Sequence, residues 1–480
     1  MPADKLNKLI DKWDRYIIDE WIPDMMHYNL NDVYIVCEIV RLNPDEIKSR
    51  YAVSKTYQVD VLNSSRSKTA DTLFEKFYSK FSGLAPEQWK GGKTERTAMS
   101  FKKVIFPFIE FKTPALKNLL SELYGITIYR TSKDAFSKEV TIGNVTYNLA
   151  TGGLHSQDRP MELWSTTSFG DYSSPTGGRK YTIYHYDVAS YYPSIMADHS
   201  VYPEHLNKGA FVGLIKWMRD TRVTVKHSNE KVIDGIPKDV LALVLKIVIN
   251  SIYGKFGFEK GSLYDRLAVL RVTVNGQLML LMLCEALELE GISIISANTD
   301  GIMVSFDESE YDRVLEITKE WEQRTRFELE EDKIKRIVQK DVNNYVEIPY
   351  EGKPKIKGGY LVRGISTAGA FNINNNATIV AKAIVDYFTL GTQVEKTIGE
   401  CDDIFQFQLI AKAGSKYKEA YHLVDGERES VQKVNRVYAS KDPRYGKLFK
   451  VKAENDSTAK IESLPEHCII DNNNKLTIDE

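Results

Sequence analysis

The stretch Tyr181–Met196, YTIYHYDVASYYPSIM, constrains the fold more than any other part of this chain. Tyr181, Ile183, Tyr184, Tyr186 and Val188 are aromatic or β-branched, which suits a buried strand. The strand delivers one carboxylate, Asp187, and should end in a polar turn over Ser190–Ser194, because Pro193 cannot donate to a central ladder. An acid on the last residues of a core strand can hold a hard cation above a sheet. It can equally be a turn-capping aspartate, and the stretch alone leaves both open.

Two further segments narrow the choice. About sixty residues on, Lys246-Ile-Val-Ile-Asn250-Ser251-Ile-Tyr253-Gly254 has helical spacing: Lys246, Asn250 and Tyr253 share one face at i, i+4 and i+7. Ile292–Val304 then reads as two short strands joined by Asn298-Thr299-Asp300-Gly301, a run of turn formers with Asp300 at its tip.

Taken in order, the three segments resemble motifs A, B and C of the family B DNA polymerases: DxxSLYPS, KxxxNSxYG and DTDS. The second match is complete. The first departs at Tyr191, where Leu is usual, and the third at Asn298 for Asp and Gly301 for Ser. The resemblance covers Tyr147–Tyr360 well, with weaker echoes at both ends. It implies an α+β right-hand polymerase with an antiparallel-sheet palm, two-helix fingers and a thumb. The implied division is 1–115 for an exonuclease remnant and connecting helices, 116–203 for the first part of the palm, 204–256 for the fingers, 257–365 for the second part of the palm, and 366–480 for the thumb and tail.

The resemblance also implies roles. Asp187, Asp300 and the Val188 carbonyl would hold two Mg²⁺ ions, with Mn²⁺ as a substitute, and Lys246 would neutralise the leaving pyrophosphate. Val188, Ser190, Tyr191, Tyr192, Asn250 and Tyr253 would surround the incoming nucleotide, with Tyr192 beneath its sugar. Arg222, or else Arg219, would face the triphosphate, Arg222 fitting the pattern better. Gly152, Gly153, Gly254, Thr299, Lys355 and Lys357 would contact DNA. Asn298 would keep an oxygen ligand and lose one charge, so Asn298→Asp should be tolerated. The partners implied are primer–template DNA and dNTPs.

Composition is compatible with this and decides little. The chain has 480 residues, enough for two to four subdomains, and a net charge of −2, so any nucleic-acid surface must be local. Cys37, Cys284, Cys401 and Cys468 are far apart, which indicates neither a zinc site nor a disulfide framework. No run of eighteen apolar residues and no signal-peptide pattern is present, so we expect a cytoplasmic protein without a membrane segment, in the host bacterial cytoplasm if phage-encoded.

The flanks add weaker signals. Residues 1–60 are helical in pattern. Tyr28 and Asp32 resemble the family's third exonuclease motif, Tyr-x-x-x-Asp, although Asn31 or Asp32 could simply cap a helix. No earlier exonuclease motif is present, and the resemblance implies the polymerase part of a split, phage-type enzyme whose other exonuclease carboxylates lie on a separate N-terminal polypeptide. Ala150-Thr151-Gly152-Gly153 resembles a YxGG turn whose glycines admit a phosphate, or is a plain loop. Ser165–Gly178 reads as an exposed linker. Glu204–Lys226 and Lys238–Phe256 read as paired helices, and Gly261–Gly291 as a long core helix. Asn343-Asn344-Tyr345 stands where relatives carry a lysine-rich segment. A basic run, Lys433, Arg436, Lys441, Arg444, Lys447, Lys450 and Lys452, could grip duplex phosphates.

Two functions follow. One is a DNA-templated DNA polymerase subunit that adds dNTPs to a primer 3′-OH by two-metal nucleotidyl transfer in phage or mobile-element replication. The other is a catalytically silent, polymerase-like DNA-binding scaffold. A reverse transcriptase would need Tyr-x-Asp-Asp at the hairpin tip and a related RNA polymerase Gly-Asp-Asp; neither is present.

Overall fold

The computed structural model describes residues 22–129, 135–157, 160–165, 181–233, 235–362, 377–473 and 475–476. Most of Ser165–Gly178 and the 365/366 boundary lie outside the described residues.

The strand-forming residues of the middle of the chain assemble into one ten-stranded sheet. In chain order its strands are β1 (Ser137–Ile142), β2 (Val145–Ala150), β3 (His155–Ser156), β4 (Met161–Trp164), β5 (Tyr181–Val188), β6 (Ser293–Asn298), β7 (Gly301–Asp307), β8 (Leu329–Asp341), β9 (Asn344–Pro349) and β10 (Lys355–Lys357). They lie in the order β10-β9-β8-β5-β7-β6-β3-β2-β1, and every pairing is antiparallel. The first half of β8 pairs with β5 and the second half with β4.

Strand β5 is buried along most of its length, as its unbroken aromatic and β-branched run requires. Ile183 joins Ile295, Met303, Ile334, Ile337 and Tyr345 in one cluster. Ser165 ties the strands together: its hydroxyl donates to the Ile334 carbonyl (2.6 Å) and accepts from the Ile183 N–H (2.9 Å).

The long core helix is Arg266–Leu289, buried along nearly its whole length. It begins later than Gly261 because the Asp265 side chain caps it, accepting from the N–H groups of Leu267 and Ala268. By length and composition it could cross a membrane, but it is buried inside the protein. Its inward polar side chains are satisfied: Asn275 donates to the Val104 carbonyl (2.8 Å), Gln277 to that of Gly152 (2.9 Å), and Glu285 accepts from the Thr113 N–H (2.6 Å).

Past Asn376, helices Thr378–Leu390 and Val394–Gly399 lead into a three-stranded and a four-stranded sheet. Ala411, Val437, Leu448, Ile461, Leu464 and Cys468 make a core here.

The described residues divide into two compact units. One takes residues up to Lys80 with Asp220–Ser251, and the other Phe81–Arg219 with residues from Ile252 onward. The first holds helices Ile22–Leu42 and Pro44–Tyr57, most of Arg66–Ser82, and parts of helices Lys208–His227 and Lys238–Lys255, whose connection carries the short hairpin Val232–Ile233 with Ile236–Pro237.

Candidate active site

The register of the sheet sets Asp187 beside Gly301 on β7 and Glu330 on β8. The Val188 N–H donates to the Asp300 main-chain carbonyl (2.7 Å), so the last turn of β5 is bonded to the tip of the β6–β7 hairpin. That tip is two residues long. Thr299 takes a left-handed φ of 49°, which is costly for a β-branched residue, and several bonds hold it there. Its N–H donates to Leu154 O (2.7 Å) and its hydroxyl to Asn298 Oδ1 (3.1 Å), while Asn298 Nδ2 donates to Val342 O (2.8 Å).

The electrostatics follow from this packing. Burial works against a charged imidazole, but hydrogen bonds to Asp187 and Glu347 outweigh it and push His185 up to about 9. Burial raises the Asp187 carboxyl, yet the His185 bond and the charges of His185, Lys355 and Lys357 hold it below the ordinary aspartate value. Asp300 is pushed upward by burial and by the charge of Asp187. An acid whose charging is made costly by a neighbouring carboxylate suits a divalent cation beside the pair. Among the described residues no group of three or more His, Cys, Asp or Glu is arranged to hold a metal. Asp187 and Asp300 would therefore need main-chain, water or substrate oxygens, the Val188 carbonyl among them, to complete a shell.

Several expected site residues gather in this unit. Tyr192 packs edge-on against Tyr253, with ring centroids 4.5 Å apart, and burial pushes the Tyr192 phenol upward. Lys357 is exposed on β10, opposite Tyr345. Lys246, Asn250 and Arg222 belong to the other unit. There Lys246 and Asn250 are exposed and line a cavity of about 270 Å³ with Arg50, Arg66 and Glu46. Tyr28 and Asp32 are exposed on helix Ile22–Leu42, well inside it and not at its cap.

Other expectations are corrected. The polar turn over Ser190–Ser194 is instead the start of helix Tyr191–Asp198; Ala189 and Ser190 make the turn, Ser190 with φ 50°, and Pro193 is accepted in the first helical turn. The Tyr191 side chain is turned into the core: it is buried, and its hydroxyl donates to Gly276 O (2.5 Å). A Cβ at Gly276 would lie 3.3 Å from Ile195 Cδ1, a tight approach, and in ordinary contact with the Tyr191 ring at 3.5 Å. Arg219 is held in an ion pair with Asp198, which leaves Arg222 as the candidate.

Gly153 serves close packing, because a Cβ there would lie 2.6 Å from Thr299 Oγ1. Gly152 has open space, and Gly254 ends a helix with open space as well. Lys355 is paired with Asp332 (2.5 Å) and lies 3.6 Å from Glu347, so it is not a free phosphate contact. The basic run is broken up: Lys447 pairs with Glu466 (2.8 Å), Arg444 with Asp442 (2.6 Å), and Arg436 donates to Asn472 O (2.6 Å). Lys433 remains exposed. Asn298 is a donor to a main-chain carbonyl, so an aspartate there would set two acceptors face to face.

Sequence reasoning missed His185 and Glu347. His185 lies two residues before Asp187, and a strand's period of two puts both on one face.

Residues 196–335 match the sequence model of the family described as DNA polymerase family B. A DNA polymerase of Thermococcus sp. (strain 9oN-7) is 25% identical over 177 residues, 32% of this chain and 23% of that protein. DNA polymerase 1 of Pyrococcus abyssi (strain GE5 / Orsay) is 23% identical over 286 residues, 52% of this chain and 37% of that protein. The chain thus spans at most 37% of the length of these two relatives. The solved structure of the family B DNA polymerase from the hyperthermophilic archaeon Pyrobaculum calidifontis aligns with 89% of this chain and 53% of its own, at 15% identity and a TM-score of 0.43.

Proposed function

We propose, from the match of residues 196–335 to the model of DNA polymerase family B, that this chain is a member of that family and extends a DNA primer on a DNA template. The observation that carries the proposal is the pairing of β5 with β7. Asp187 lies upstream of the matched residues and Asp300 inside them, yet their main chains are bonded to each other through Val188.

In this reading the primer 3′-oxygen bonds to the α-phosphorus of a dNTP and pyrophosphate leaves. Two divalent cations, when bound, would favour ionisation of the 3′-hydroxyl and offset charge on the phosphates. Asp187 and Asp300 would hold them, with the Val188 carbonyl completing the oxygen set. The motif resemblance alone assigns Lys246 and Arg222 to the triphosphate, where fixed cations lower the cost of developing charge. Tyr192, braced by Tyr253, lies under the incoming sugar and excludes a 2′-hydroxyl. Lys357 and Lys433 are assigned to phosphates of the duplex.

Asp32 belongs to no metal-ligating group among the described residues. The reading assigns Asp32 to trimming only together with carboxylates supplied by a separate polypeptide. The named relatives are archaeal, and a phage or mobile-element setting has no support from them.

Primer extension by the purified chain on a DNA template, with and without Mg²⁺, tests the reading. Asp187→Ala and Asp300→Ala should each abolish incorporation and leave duplex binding within about twofold, since they act on the chemical step. Wild-type extension by Asp300→Ala would sink the placement of the site. A wild-type chain that binds duplex but never extends it would favour the scaffold.

A further inference from the structure

The polymerase reading makes no use of His185 or Glu347, yet both are built into its centre. His185 leaves β5 on the same face as Asp187 and is only 9% exposed, and Glu347 on β9 is 0% exposed. Glu347 Oε2 lies 2.8 Å from His185 Nδ1, and Asp187 Oδ1 lies 3.3 Å from His185 Nε2. Lys355, the cross-strand partner of Glu347 on β10, brings its ammonium within 3.6 Å of Glu347 Oε1. A fully buried carboxylate is costly unless partners hold it, so a glutamate in the middle of a short strand calls for a reason.

The far side of Asp187 is equally confined. Gly301 has no Cβ, and one placed there would lie 2.4 Å from Asp187 Oδ1. Oδ1 is therefore held between the imidazole and the glycine, which leaves the other carboxylate oxygen to face a ligand. The arrangement repeats, one step further from the cation, the logic by which a buried carboxylate fixes an imidazole and the imidazole fixes what it touches.

We propose that Glu347 and His185 are positioning residues that fix the Asp187 carboxylate for divalent-cation binding. The proposal rests on the polymerase reading for the identity of the site, and on the geometry of these residues for its mechanism. Orientation and charge pull in opposite directions here. Removing His185 removes a group that competes for Oδ1, which alone would tighten cation binding. It also frees the carboxylate to rotate, which weakens binding. The proposal is that orientation dominates.

The test titrates Mn²⁺, followed by electron paramagnetic resonance, onto the full chain with a 3′-dideoxy-terminated primer–template and the matching dNTP, so that no turnover occurs. His185→Leu would strand the buried Glu347 charge, so it is made together with Glu347→Gln. His185→Gln with Glu347→Gln is the rescue, because an amide can still donate to Asp187. The leucine double variant should bind Mn²⁺ about tenfold more weakly than Glu347→Gln alone and need about tenfold more Mg²⁺ for half-maximal extension of a normal primer. The glutamine double variant should recover at least half of that loss on a logarithmic scale. Unchanged or tighter Mn²⁺ binding by the leucine double variant, at the melting temperature of Glu347→Gln, would overturn the proposal while wild-type extension left the polymerase reading standing. A wild-type chain with neither extension nor Asp187-dependent Mn²⁺ binding would bring down both.

Discussion

A Cβ at position 301 would lie 2.4 Å from Asp187 Oδ1, 2.9 Å from the Tyr186 carbonyl oxygen and 3.3 Å from His185 Nε2. Ordinary van der Waals contact with the carboxylate oxygen begins about 1 Å further out. In Gly301→Ser the Asp187 carboxylate must therefore retreat by about 1 Å, or β5 and β7 must separate. The Tyr186 carbonyl is main chain bound into the ladder and cannot swing aside. A shift of about 1 Å in a group that positions the reaction costs about a hundredfold in rate. That corresponds to about 2.7 kcal/mol of barrier. Overpacking adds about 1–3 kcal/mol of lost stability.

Serine is the residue usual in the family motif, so by resemblance alone the change should be neutral. By the geometry, single-nucleotide incorporation at saturating dNTP and Mg²⁺ should fall about a hundredfold, with primer–template Kd changed by less than about twofold. The melting temperature should drop as well. Gly301→Ser with a wild-type rate and an unchanged melting temperature would refute the argument that Asp187 is confined at this position.

Tyr192→Val should narrow the ratio of kcat/KM for a dNTP over its matching rNTP, whereas Tyr191→Phe should leave the ratio alone and cost about 1 kcal/mol of stability through its lost bond to Gly276. An unchanged ratio in a folded, active Tyr192→Val rules that residue out as the sugar gate. Asn298→Asp should lower stability by about 1–3 kcal/mol, because an acceptor replaces the donor facing the Val342 carbonyl; a melting temperature at or above wild type contradicts this. A 3′-mismatched primer should not be trimmed by the isolated chain, and robust 3′–5′ degradation that Asp32→Ala does not touch would exclude any role for that helix.

Much of the central sheet was legible because its signals are local. The aromatic run of β5, the turn formers at Asn298–Gly301 and the helical spacing of Lys246, Asn250 and Tyr253 each announce their own element. What stayed hidden depends on residues distant in sequence. Tyr191 looks like a site residue until Gly276 accepts its hydroxyl, and Arg219 looks available until Asp198 claims it. Gly153 reads as a phosphate cradle until Thr299 is seen against it. The basic run of the C-terminal region lost its coherence to acids that a linear count of charges passes over, Glu466 in particular. His185 was half visible through its spacing from Asp187, but Glu347, which gives the histidine its partner, follows more than 150 residues later.

The position of β5 has a consequence for how the chain comes to be made. Its two neighbours, β7 and β8, span Gly301–Asp307 and Leu329–Asp341, so Tyr181–Val188 leaves the ribosome long before either is synthesised. Until then its two hydrogen-bonding edges, and the three tyrosines that the finished sheet buries or half-buries, have no native cover. A nascent chain in that state is a template for wrong pairing. The carboxylates of the site meet only at the end of this wait. Loss of late-synthesised β8 by premature termination should therefore yield aggregates, with no partly active enzyme among them.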